Sequence, residues 1–284
     1  MKNFLGIEEP YTDAEQSRFV IIPVPLERTT SYGKGTRWGP EAIIKASSYV
    51  ELYDEEFGYE AYKAGIYTAP AIDLSGSVEE VFDRISGKFS QYLNKQQFVI
   101  GLGGEHAVSF PMYRAFHQHF NDLSVLQLDA HSDLRDSYED SIYSHASVMR
   151  RIYELNENIV QVGIRSQCVE EAQFIKANAI ATYYAYQLHQ GGLNEMIINR
   201  LKPNVYITID VDYFDPSIMP STGTPEPGGG LWYETLAFLS EVFKRRNVVG
   251  FDVVELAPQE KIYHPDFLAA KLIYKLITLK LLFD

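Results

Sequence analysis

Six short apolar runs punctuate the chain: Phe19–Pro23, Gln97–Leu102, Leu123–Leu128, Ile159–Gly163, Val205–Ile209 and Val248–Val254. They are continuous rather than alternating and rich in valine and isoleucine, the pattern of strands buried on both faces. Longer amphipathic stretches separate them. In Ser77–Leu93, Val81, Ile85, Phe89 and Tyr92 recur at helical spacing behind a Ser-x-x-Glu start that reads as a capping box. Glu234–Arg245 and Phe267–Leu282 read as further helices. Strand–helix alternation along the whole chain predicts an α/β fold, a single-domain parallel sheet with helices on both faces over residues 1–284.

Composition narrows the function classes. The chain has 284 residues, 46% of them apolar and 22% charged, enough to bury a real core. Lys and Arg total 25 against 38 Asp and Glu, a net charge of −13. That sign argues against a nucleic-acid binder that works by neutralising phosphates. No apolar run approaches the roughly 20 residues a membrane helix needs. The first residues lack the apolar core of a signal peptide, so a cytoplasmic protein is expected. One cysteine, Cys168, excludes an intramolecular disulfide and a thiolate zinc site, and reads as a packing thiol.

The chemistry lies where the strands stop. Sites in open parallel sheets form beyond the carboxyl ends of the strands. After Gln97–Leu102 comes Gly104-Glu105-His106; after Leu123–Leu128 come Asp129, His131 and Asp133. Asp210 and Asp212 follow Val205–Ile209, and Glu255 follows Val248–Val254. Alternate residues of an extended chain point the same way, so each strand end is expected to aim its acids and imidazoles into one space. Unpaired carboxylates gathered in one cleft repel unless cations compensate them. The donor set of oxygen and imidazole nitrogen suits Mn²⁺, with Zn²⁺, Co²⁺ or Fe²⁺ as alternatives. Six ligands are too many for one ion that keeps an open position, and fit two ions that share carboxylates and a water, roughly 3.5–4 Å apart.

Gly103–Ser109 (GGEHAVS), Leu128–Asp136 (LDAHSDLRD) and Ile209–Pro216 (IDVDYFDP) resemble the motifs of the ureohydrolase family, the arginases and agmatinases. Gly33–Pro40, Ser221–Gly230 and Asp252–Pro258 extend the likeness in order along nearly the whole chain. The resemblance implies an arginase-like three-layer α/β/α fold and a homo-trimer or homo-hexamer. It also implies two Mn²⁺ per subunit, held by His106, Asp129, His131, Asp133, Asp210 and Asp212. The implied reaction is hydrolysis of a guanidinium to urea and an amine. Two ions bridging one water would lower its pKa far enough to hold hydroxide at neutral pH. Asp133, expected as a bridging ligand, would pass a proton to the leaving amine. His145 would shuttle protons or position the substrate, and Glu255 would pair with the guanidinium through two N–H groups. Thr224 in Gly-Thr-Pro would hydrogen-bond the substrate.

The subgroup reading is agmatinase. Arg135 stands where arginases carry an asparagine, and Asp136, Glu139 and Asp140 form an acidic stretch beside it. An acidic rim favours a substrate ending in an ammonium, so agmatine is expected to give putrescine and urea. N1-aminopropylagmatine, giving spermidine, and 4-guanidinobutyrate, meeting Arg135, are the alternatives within the family. Outside that chemistry the rivals are a metal-stabilised binding protein without catalysis and a one-metal zinc deacetylase. A chain without catalysis need not keep His145 and Glu255, and both are present, which argues against the first; the two ligand sets argue against the second. Glu105 reads as a structural carboxylate, and His117, His119, His189 and His264 as surface or packing residues.

Overall fold

The computed structural model describes residues 3–191 and 194–284. Eight strands form one sheet: β1 (Phe19–Val24), β2 (Ile66–Thr68), β3 (Phe98–Gly103), β4 (Leu123–Leu128), β5 (Ile159–Ile164), β6 (Ala181–Tyr184), β7 (Asn204–Asp210) and β8 (Asn247–Val254). Their order is β2-β1-β3-β8-β7-β4-β5-β6. Every pairing is parallel, as the continuous apolar runs predict. The helices are α1 (Gly39–Ser47), α2 (Val78–Leu93), α3 (Ser109–His119), α4 (Val148–Leu155), α5 (Val169–Ala177), α6 (Ala185–Leu188), α7 (Asn194–Arg200), α8 (Trp232–Arg245) and α9 (His264–Phe283).

The period of two in β1 divides the molecule into layers. Phe19 and Ile21 pack with α1, α7, α8 and α9. Val20, Ile22 and Val24 point the other way, into a second core built with α2, α3, α4 and α5. At the start of α2 the Ser77 hydroxyl accepts the Glu80 N–H, and the Glu80 carboxylate accepts the Ser77 N–H. The capping box read from Ser-x-x-Glu is therefore formed. Two strands escaped the apolar-run criterion, β2 and β6. Both are short and sit at the two edges of the sheet, where one side of the strand stays open and no long apolar run is required.

Topology gathers the four chemistry-bearing strand ends. The neighbours β3, β8, β7 and β4 lie at the centre of the sheet, and these are the strands followed by His106, Glu255, Asp210 and Asp129. The chain runs from β1 out to the edge at β2 and back inward to β3, then restarts at β4 and builds outward through β5 and β6; β7 and β8 then fill the gap. That reversal is where open α/β sheets place their sites.

Gly104 makes the turn from β3 to His106 possible. A Cβ there would sit 2.0 Å from the Leu26 carbonyl oxygen, a backbone atom that cannot swing aside. Gly104→Ala is expected to destabilise the fold by about 3 kcal/mol, at the upper end of overpacking penalties. A thermal melt reads this directly, and a variant melting with the parent would show that the turn can relax.

Candidate metal centre

Each acidic group is aimed by its own backbone. Asp129 follows β4 directly; its Oδ1 accepts the His131 N–H at 2.6 Å and its Oδ2 the Gln127 side-chain N–H at 2.7 Å. Asp212 Oδ1 accepts the Ala130 N–H at 3.0 Å, so the ends of β7 and β4 are tied together. The reason for convergence differs in part from the extended-chain expectation. His131 stays extended, in a parallel bridge with Ser166. Asp133 instead adopts a left-handed φ of 53°, and its carbonyl accepts the Met149 and Arg150 N–H groups at the start of α4. Asp210 and Asp212 are joined by a 3₁₀ turn, Val211–Tyr213, that Asp210 caps by accepting the Asp212 N–H at 2.9 Å. Tight turns, not a continued strand, bring the later carboxylates back to the site.

The six side chains meet around two points. Nδ1 of His106 lies 3.1 Å from Asp129, 3.1 Å from Asp133 and 3.4 Å from Asp210. Nδ1 of His131 lies 2.9 Å from Asp212 and 3.7 Å from Asp129. Two groups suited to a cation result, His106–Asp129–Asp210 and Asp129–His131–Asp212. The carboxylate common to both is Asp129. Asp133, expected to bridge, approaches Nδ1 of His106 and belongs to neither of these two groups.

Whether these donors fit a metal can be tested on His106. Its Nε2 is 2.9 Å from Thr208 Oγ1, and that hydroxyl donates to Asp252 at 2.7 Å. With its own hydrogen committed to Asp252, Thr208 accepts the Nε2–H. Nδ1 is then left as a lone pair, buried, without a hydrogen-bond partner, facing three carboxylates. A lone pair among anions requires positive charge between them, and a divalent cation supplies it. The residues fit the group that the sequence pattern implies.

Electrostatics make the same demand. Burial alone would lower the His106 pKa, yet the carboxylates of Asp129, Asp133 and Asp210 hold it well above its usual value. His131, also opposed by burial, is pushed up to about 12 by Asp212 and Asp129. Burial and the Asp129 charge raise Asp133 to about 7. Burial together with Asp212 and Asp129 raises Asp210 well above the carboxylate range. Imidazoles forced to keep protons beside carboxylates forced to take them describe a site short of cations.

Glu255 and His145 stand beside the cluster, on a cavity of about 320 Å³ that also reaches His106, His131, Asp133, Asp210 and Asp212. Glu255 has a φ of 65°, and its Oε1 accepts the His106 backbone N–H at 2.6 Å. His145 is held at Nδ1, 3.2 Å from Thr29 Oγ1, which leaves Nε2 for the cavity it lines. Thr29 is fixed in turn by Glu105, whose carboxylate accepts the Arg28 and Thr29 N–H groups at 2.7 and 2.6 Å. Glu105 thus shapes a loop, which fits its reading as a structural carboxylate.

The tail-recognition reading needs correction. Arg135 and Thr224 line the cavity, but Asp136, Glu139 and Asp140 do not. Asp136 turns outward to Arg151, 3.1 Å away. Glu139 and Asp140 occupy the two central positions of a tight turn closed by Tyr138 and Ser141, both with left-handed φ. Short acidic side chains tolerate such turns, so the turn accounts for Asp140 without a ligand. The residue of this segment on the wall is Tyr138, with the Arg135 guanidinium 5.5 Å over its ring. Cys168, expected as a packing thiol, is half-buried on the same wall. Thr208 and Asp252 behind His106, and Thr222 beside Thr224, were also missed. Thr208 could have been found, since it stands two residues before Asp210 on β7 and so shares its face. The other histidines lie elsewhere: His119 caps the Ala115 carbonyl and His189 reaches the Gly228 carbonyl. Among the described residues, no helix is long and apolar enough to cross a membrane.

Comparison with known proteins bears on this centre. The family model described as the arginase family matches residues 17–278. An N(1)-aminopropylagmatine ureohydrolase of Synechocystis sp. is 39% identical over 97% of this chain and 93% of its own length. An agmatinase of Pyrococcus horikoshii is 32% identical over 95% of each chain. The crystal structure of the agmatine ureohydrolase of Thermoplasma volcanium superposes with a TM-score of 0.87 at 29% identity, covering 99% of this chain and 94% of that one. A match of this extent, laid over a central cluster that calls for divalent cations, makes the chain a member of the arginase family, a ureohydrolase acting on guanidino C–N bonds.

Proposed function

We propose that the protein hydrolyses the guanidinium of agmatine to urea and putrescine, with N1-aminopropylagmatine as the second substrate reading. The observation that carries the reaction is Glu255, a buried carboxylate on the wall of the cavity that also reaches the candidate metal ligands, with one oxygen accepting the His106 N–H. His106, Asp129, His131, Asp133, Asp210 and Asp212 would hold two divalent ions, manganese on the chemistry of the donors, and these would supply a water acidic enough to attack at neutral pH. Glu255 holds the guanidinium by charge-assisted hydrogen bonds and so fixes its carbon over the cluster. Asp133, on the cavity side of the cluster, is the carboxylate placed to carry a proton to the leaving amine. His145, held through Nδ1 by Thr29, presents Nε2 for exchange with solvent or contact with the substrate chain.

The second reading is supported by the 39% identity to an N(1)-aminopropylagmatine ureohydrolase. The deciding experiment is urea release with Mn²⁺ from agmatine, N1-aminopropylagmatine, arginine and 4-guanidinobutyrate. Either of the first two is expected to lead by kcat/KM, and which one leads settles the substrate. A lead by 4-guanidinobutyrate would mean that Arg135 leaves Tyr138 for a carboxylate. No urea from any of the four, with metal fully bound, would refute the proposal.

A further inference from the structure

Arg165, the residue after β5, commits its guanidinium to main-chain carbonyls. It donates to Asp212 at 2.5 Å, Glu226 at 2.9 Å, Gly163 at 3.1 Å, and Tyr213 and Phe214 at 3.4 Å. Three of these carbonyls belong to the end of the 3₁₀ turn Val211–Tyr213, and a short turn leaves its last carbonyls without partners of its own. That turn carries Asp212. The main chain of Arg165 holds the facing segment. The Ala130 carbonyl accepts the Arg165 N–H at 2.8 Å and the Ser166 N–H at 3.0 Å, and Ala130 stands between Asp129 and His131. Asp129, His131 and Asp212 are one of the two cation-suited groups, so a single residue grips both segments that build it. The other group is seated by different residues. His106 is held by Thr208 at Nε2 and by Glu255 at its main-chain N–H, and Asp210 still lies in β7, paired with Val254.

We propose that Arg165 is a positioning residue for one ion of the pair, the ion that Asp129, His131 and Asp212 would hold, and leaves the ion at His106 to other supports. It touches neither metal nor substrate and acts through the Asp212 turn. Ligand sets work only when held to within about 0.5 Å, and a single 3₁₀ turn has few internal hydrogen bonds with which to do so. A planar guanidinium fork reaches several carbonyls at once, which a point-like ammonium cannot. The same fork fixes the Glu226 carbonyl, and Glu226 Oε1 stands 3.9 Å from His131 Nε2, so a third side of this group also runs through Arg165. The inference rests on the two-ion reading above and adds an order to it: without Arg165, the ion at Asp212 is the one lost.

Arg165→Met keeps the stem and removes the donors; Arg165→Lys keeps the charge at one donor point. The probe is Mn²⁺ alone, titrated into the metal-stripped full chain, with metal per chain counted after gel filtration. The parent is expected to bind two ions. In Arg165→Met one ion is expected to weaken by about tenfold to a hundredfold, the range for groups that orient metal ligands, and the other to stay within about threefold of the parent. Asp212→Asn, which alters a ligand of the same group, is expected to weaken the same ion. Arg165→Lys is expected between parent and methionine variant, weakened about threefold to tenfold at that ion alone, and it carries the test if Arg165→Met does not fold. A residue that only packs would lower the Tm of the metal-stripped protein and leave both affinities in place. Equal weakening of both ions, or parental affinity for both in either variant, would overturn the assignment. So would a parent that binds one ion per chain, which also removes the two-ion reading. Since no substrate enters the titration, a parent that holds two ions and releases no urea refutes the proposed function alone.

Discussion

Replacing Asp129 with alanine is expected to empty both metal positions at once and to lower urea release by on the order of 10³-fold or more, about 4 kcal/mol of transition-state stabilisation at 1.36 kcal/mol per tenfold. No other carboxylate belongs to both cation-suited groups. Its removal also frees the His131 N–H and the Gln127 amide that it accepts. Loss of one shared ligand therefore reaches His106 and His131 together. Two measurements check it independently of turnover: metal content after gel filtration, and the rise in Tm on adding Mn²⁺. Ligands that bind the folded state alone raise its stability by mass action, so the parent is expected to gain Tm with Mn²⁺ and Asp129→Ala to gain little. Retention of two ions per chain with more than a tenth of the activity would show that Asp133 or Asp210 takes over the bridge.

The legibility of this site in the sequence follows the locality of its causes. The six candidate ligands lie at the ends of strands buried on both faces, where an apolar run broken by an acid is a strong local signal. Their convergence required the strand order, which no residue states: β7 and β8 are inserted between β3 and β4 late in the chain. The acidic stretch after Arg135 failed because charge was read as pocket lining. Glu139 and Asp140 serve a turn whose left-handed geometry is invisible until the backbone is placed. Tyr138 was missed for the opposite reason. Tyrosine is everywhere in loops, and a place on the cavity wall is a property of packing, not of spacing. The edge strands β2 and β6 escaped because an edge position relaxes the demand for a continuous apolar run.

Glu255→Gln is expected to leave both ions in place and still reduce kcat/KM by about 10²- to 10³-fold, the range for removing one partner of a buried charge pair. Glutamine retains an oxygen for the His106 N–H that Glu255 Oε1 now accepts at 2.6 Å, so the metal ligand keeps its seat. What is lost is the negative charge facing the guanidinium. The pH dependence separates this from a packing defect. Burial, then the charges of Glu105 and Asp212, hold the Glu255 carboxyl well above its usual range in the metal-free protein, and divalent cations bound beside it would pull it back down. A cationic substrate binds the ionised form, so it must wait for that proton to leave. kcat/KM, which reports groups of the substrate-free, metal-loaded enzyme, is therefore expected to climb with pH as Glu255 ionises and to fall as pH drops through its pKa in that state. Glutamine cannot ionise, and the variant is expected to lose that acid limb while keeping any limb set by the metal ligands. A variant with the parental acid limb, or with a loss below about fivefold, would move guanidinium recognition away from Glu255 to the neutral groups of the cavity wall.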